Sequence, residues 1–107
     1  MKYRIIITNT AKNDLKDISF WIADRAGDTM AGMQFISDLQ ERCKRLESHP
    51  DIGAYPNDHH LKSLGYRFLT FKDYLIFYTV SKESQAVYLM AVFNSRKDYM
   101  RELKKFI

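Results

Sequence analysis

The sequence predicts an α+β domain: one short strand, a hairpin of two amphipathic helices, three further strands and a short C-terminal helix. Three observations predict it. A β-branched run opens the chain at residues 3–8. A helical apolar period then occupies residues 11–49. Three strand-like runs, rich in aromatic and β-branched residues, crowd residues 66–93. The 107 residues fit a single domain spanning 1–107, with no repeat and no linker.

Tyr3-Arg4-Ile5-Ile6-Ile7-Thr8 reads as the first strand. Thr8, Asn9 and Thr10 follow, whose side-chain oxygens suit the free N–H groups of a first helical turn. In the first helix Leu15, Ile18 and Ile22 share a face, Lys12, Lys16 and Asp17 alternate with them, and Trp21 is read with the core. Gly27-Asp28 ends that helix and caps the next. The second helix is expected over residues 29–49, with an apolar seam of Gly32, Ile36, Leu39, Cys43 and Leu46. Pro50 ends it, and residues 50–57 form a loop. Residues 66–71 and 74–80 are separated only by Lys72-Asp73 and read as a β-hairpin. Residues 81–85 turn the chain into a last strand over 86–93. The last two strands are apolar on both faces, as central strands covered on both sides are, or as a sheet with a partner-binding face is. Residues 98–105 complete the prediction as the terminal helix.

Composition narrows the function classes. With 46% hydrophobic and 28% charged residues the chain is an ordinary globular one. The run Ile5-Ile6-Ile7 is too short for a signal peptide or a membrane span, so a cytoplasmic protein without membrane contact is expected. One cysteine, Cys43, excludes an internal disulfide and reads as a buried thiol. The net charge of +4 is a C-terminal feature. Residues 1–93 hold twelve basic and eleven acidic side chains, whereas Arg96, Lys97, Arg101, Lys104 and Lys105 face only Asp98 and Glu102 thereafter. Such a tail suits nucleic acid or an acidic protein.

Chemical motifs are few. His59-His60 lacks a third and fourth ligand, so no metal is expected, nor any other cofactor. The four glycines, at 27, 32, 53 and 65, make no phosphate loop. Arg67 stands among apolar and aromatic neighbours, either lying along a sheet face or held for an anionic group. Arg96 follows the last strand and is expected to emerge at a sheet end beside the basic tail.

Taken in order, these pieces resemble one family. Ala11-x-x-Asp14-Leu15-x-x-Ile18-x-x-Trp21-Ile22, with Leu46-x-x-x-Pro50-x-x-Gly53, resembles the helical hairpin of RelE/ParE toxins of type II toxin–antitoxin systems. Leu64-Gly65-Tyr66-Arg67 and Asp73-Tyr74-Leu75-Ile76-Phe77-Tyr78 resemble their central hairpin, and Val87-Tyr88-Leu89-x-x-Val92 with Arg96-x-Asp98 their last strand and its exit. The resemblance implies a small antiparallel sheet with the hairpin packed on it. It also implies a cognate antitoxin that wraps and masks the toxin.

The family divides by target. RelE-like members are ribosome-dependent mRNA interferases, with basic residues at the phosphate and often a Tyr or His near the C-terminus. ParE-like members inhibit DNA gyrase. This sequence resembles the ParE side more. Interferases commonly carry an Arg on the third strand where Leu75 stands, and many relatives carry His where Asn94 stands. The resemblance leaves Arg67, Arg96, Lys97 and Arg101 as candidate target contacts. If the chain is a nuclease, Arg67, Arg96 and Tyr99 are its catalytic candidates. A further alternative is a silent relative that acts as a binding module or as co-repressor with its antitoxin.

Overall fold

A computed structural model describes residues 2–97, 101 and 103. Strand β1 (Arg4–Ile7) leads into helix α1 (Asn9–Ala26) and helix α2 (Thr29–Cys43). A 3-10 turn (Lys44–Glu47) and the short helix α3 (His59–Ser63) precede strands β2 (Arg67–Phe71), β3 (Tyr74–Ser81) and β4 (Ala86–Asn94). The α1 cap is the first of the three residues the sequence offers, and the α2 cap is the expected Asp28. Thr8 accepts from the Ala11 N–H, and Asp28 accepts from the Met30 N–H. Gly27 closes α1 in the left-handed region, at φ 63°, where a Cβ would be strained. The second helix is shorter than predicted, since its last turn tightens into the 3-10 segment from Lys44. Of the predicted terminal helix only Arg101 and Leu103 are described, both helical. The rest of that prediction lies outside the described residues.

The sheet order is β1-β4-β3-β2. Three strands form an antiparallel meander, and β1 joins its far edge parallel to β4. Both faces of the central strands are covered. On one face Leu15, Phe35, Leu39, Leu46, Ile76 and Tyr78 pack beneath the helical hairpin. On the other, Leu61, Tyr66, Leu75, Phe77, Phe93 and Leu103 form a second cluster. This explains the doubly apolar runs of β3 and β4: they are central strands packed on both sides. Gly32 allows α1 and α2 to approach, because a Cβ there would run into the Ser19 backbone carbonyl.

Trp21 corrects the expectation of a core residue: it is 55% exposed, with the Arg25 guanidinium 5.0 Å above its ring. At 100° per residue Trp21 falls about 90° from the centre of the stripe formed by Ala11, Leu15, Ile18 and Ile22. It therefore borders that stripe without entering the core.

Cys43 is buried at the end of α2, and burial pushes its thiol up to about 11, against a weaker opposing pull from Arg42. The folded chain thus holds the thiol proton more tightly than the unfolded one. That contribution is fully present below the ordinary value of 9.0 and is lost as pH rises through about 11. We expect wild-type stability in urea to fall between pH 8 and pH 11 by on the order of 2 kcal/mol more than that of Cys43→Ala. Parallel losses in the two proteins would show that the thiol does not drive the change.

Candidate functional site

The exit of β4 is built by a short edge strand and a bulge. β3 pairs Phe77 with Ala91 and Tyr78 with Leu89, which leaves Met90 as an extra residue. The bulge shifts the alternation of β4, so that Val92 turns its N–H towards α1. The Asp14 carboxylate accepts that N–H at 2.9 Å. On the near side of the bulge, Thr8 donates through both its N–H and its hydroxyl to the Leu89 carbonyl. Asp14 thus satisfies the β4 edge where the four-residue β1 has ended.

Between α1 and this edge lies a groove of about 380 Å³, bordered by Asp14, Asp17, Ile18, Trp21, Asn94 and Lys97. Asn94 organises its outer end. Its side-chain oxygen accepts from the Arg96 N–H at 2.9 Å, and its carbonyl accepts from the Lys97 N–H. The Ser95 N–H donates to the Asp73 carbonyl at 2.7 Å, tying the exit to the β2–β3 turn. The chain turns sharply here, leaving Arg96 and Lys97 exposed at the sheet end. Arg101 is also exposed, while Tyr99 lies outside the described residues.

Arg67 sits elsewhere. One guanidinium nitrogen, Nη1, donates to the Asp51 and Gly53 carbonyls at 3.0 and 2.9 Å. The other, Nη2, donates to the Tyr55 hydroxyl at 2.6 Å and lies 3.8 Å from the Asp51 carboxylate. The guanidinium also stacks on the Tyr55 ring, 4.1 Å from its centre. Tyr78 holds the same loop from below, donating to the Pro50 carbonyl and accepting from the Gly53 N–H. Arg67 pairs with Tyr78, and Asn94 with Tyr74, two strands away. Strand spacing and rise then separate Arg67 from the β4 exit by roughly 15 Å. The sequence candidates therefore do not converge: Arg96 and Lys97 share one sheet end, and Arg67 clamps a loop at another.

Leu75 lies in the second apolar cluster. Among the described tyrosines, burial raises the phenols of Tyr66, Tyr74 and Tyr78 above their ordinary value, Tyr74 with further help from Asp73 and against a hydrogen bond from Asn94. None is poised to accept a proton near neutrality. His59 and His60 are exposed at the start of α3, and no three His, Cys, Asp or Glu side chains converge among the described residues. No described helix is long and apolar enough to cross a membrane. Sequence reasoning missed the groove. Asp14 and Trp21 stood in the motif, but only the bulge in β4 brings that edge to them.

The family model for the ParE toxin of type II toxin–antitoxin systems matches residues 5–99. The chain belongs to this toxin family. Solved structures agree on the fold. The chromosomal ParDE toxin–antitoxin system of P. aeruginosa is similar at TM-score 0.70 and 18% identity, covering 87% of this chain and 96% of that one. The RelBE2 toxin–antitoxin complex of Mycobacterium tuberculosis follows at 0.66 and 18%, covering 88% and 92%. A free mutant of the E. coli toxin RelE gives 0.64 and 14% over the full length of both chains. No curated protein matches the chain by sequence. This family member is thus a type II toxin with the shared RelE/ParE architecture, and its β4 exit presents Arg96 and Lys97 to solvent.

Proposed function

We propose that this toxin is held in check by a cognate antitoxin and acts on DNA gyrase rather than by cutting mRNA. The observation that carries the reading is the position of Leu75, buried where interferases commonly present an arginine. Cleavage at a 2′-OH needs a base, an acid and positive charge at the phosphate, and each missing electrostatic contact lowers the rate about 100- to 1000-fold. Leu75 cannot supply that charge. Asn94 does not titrate, and the Arg67 donors are engaged within the chain. The family match falls on the ParE side as well.

Arg96, Lys97 and Arg101, all exposed, are then target contacts and not nuclease groups. Arg96→Ala should leave stability within about 0.5 kcal/mol of wild type. It should weaken target inhibition about tenfold or more, the scale of one lost charge-assisted contact. Purified toxin should inhibit gyrase supercoiling and leave transcripts intact in primer extension on translating ribosomes. Codon-linked cuts without any effect on gyrase would overturn the reading and return Arg67, Arg96 and Tyr99 to catalytic candidacy.

A further inference from the structure

The first helix turns two large aromatic rings to solvent. Phe20 is 64% and Trp21 55% exposed, side by side near the middle of α1. The other side of the helix is covered. Ala11 and Leu15 are buried in the cluster over the sheet, and Gly32 of α2 comes up against Ser19. At 100° per residue Phe20 lies about 170° from the centre of the buried stripe and Trp21 about 90°. The face they share therefore points away from the rest of the domain. Single exposed apolar side chains are ordinary, but two adjacent rings, each more than half exposed, make the aromatic centre typical of an interaction surface.

Charge decides what covers them. Residues four apart stand one turn above another on a helix, so the face holds two rows: Lys16, Phe20 and Asp24, and beside it Asp17, Trp21 and Arg25. Each row sets a ring between opposite charges, and the order of the charges reverses from one row to the other. All four charged side chains are exposed, and among the described residues none is ion-paired. Lys16 and Arg25 lie over the rings of their own rows, 6.0 Å and 5.0 Å from the centres of Phe20 and Trp21. A nucleic acid would meet Asp17 and Asp24, and a wholly acidic or wholly basic segment would oppose half of the charges. Each row read backwards, however, is its own complement. The four charges also sum to zero, so the face largely escapes the self-repulsion of a chain with net charge +4.

We propose that this face binds a second copy of the chain, with the two α1 helices packed antiparallel about a two-fold axis. Such an axis sets the same patch of both copies against each other, each row against its own reverse. Lys16 then meets Asp24 of the second copy, Asp17 meets Arg25 of the second copy, and the rings meet in the middle. Parallel packing would instead align the two helix dipoles side by side, which is unfavourable. The contact is one helix face wide, below the about 1,200 Å² of a stable interface, so the dimer is weak and forms as toxin concentration rises.

Sedimentation equilibrium of the full-length toxin alone, at rising concentration, tests this. Wild type should pass from monomer to dimer. Phe20→Ser with Trp21→Ser should weaken the association about tenfold or more, with far-UV circular dichroism unchanged. Lys16→Asp should weaken it about tenfold, although it lowers the net charge, because the two-fold axis turns each attraction at that position into a repulsion twice over. Lys16→Asp with Asp24→Lys returns the net charge to that of wild type and restores opposite charges across an antiparallel contact, so association should recover. The same double change would leave a parallel dimer with like charges opposed, and failure to recover would overturn the packing proposed. A toxin that stays monomeric at every concentration, or a dimer indifferent to the aromatic substitutions, would overturn the proposal outright. A monomeric toxin whose aromatic variant loses binding to the protein encoded beside its gene would hand the face to that partner and overturn it as well.

Discussion

Leu15→Ala is expected to cost the fold about 2–5 kcal/mol, the range for truncating a buried leucine. Leu15 is 6% exposed and packs in the cluster between the hairpin and the sheet. Truncation there removes apolar contacts from two layers at once and leaves a void that neither can easily fill. Trp21→Ala, a larger truncation on the same helix, should cost no more than about 1 kcal/mol, the scale of one lost cation–π contact at an exposed site. Urea denaturation of both variants measures the contrast. A Trp21 variant as destabilised as the Leu15 variant would place that ring in the core and refute its position at the groove.

Arg67→Ala is expected to lose about 2–3 kcal/mol, the scale of hydrogen bonds to a charged group. The side chain is only 18% exposed and joins the Asp51 and Gly53 carbonyls to the Tyr55 hydroxyl. Its loss frees residues 51–55 from one of two anchors, the other being the Tyr78 hydroxyl. Arg67→Lys should recover less than half of the loss, because an ammonium cannot bridge both carbonyls while stacking flat on a ring. Thermal melts of the two variants read this directly, and toxicity should fall only as far as folded protein does. An Arg67→Ala protein with an unchanged melting temperature and no toxicity would make Arg67 a target contact instead of a clamp.

Much of the candidate site could be placed in advance, but not assembled. The basic C-terminal excess and the exit of the last strand located Arg96 and Lys97, because charge distribution and strand length are properties of the linear chain. Asn94, considered only for its inability to titrate, is also the residue that shapes the exit, through a hydrogen bond to the Arg96 backbone. Arg67 attracted two readings, and in the folded chain its guanidinium meets the 51–55 loop. Asp51, Gly53 and Tyr55 lie 12 to 16 residues away in sequence, and nothing local announces that they meet it.

By itself the sequence determined the α+β class, the helical hairpin, the three-strand run, a first-helix cap among Thr8, Asn9 and Thr10, and the cap at Asp28. Those features follow from periodicity and from hydrogen bonds that close within three or four residues. The resemblance spread along the chain also identified the toxin family. Only the tertiary structure decided that β1 lies parallel to β4, that Trp21 stays outside the core, and that Asp14 completes the β4 edge. Each depends on partners far apart in sequence: Asp14 and Val92 are 78 residues apart. Helical phase can place a residue at the border of an apolar stripe, but the packed neighbour decides whether that border is covered. For Trp21 it remains open, because α1 meets β4 through Asp14 and leaves a groove beyond.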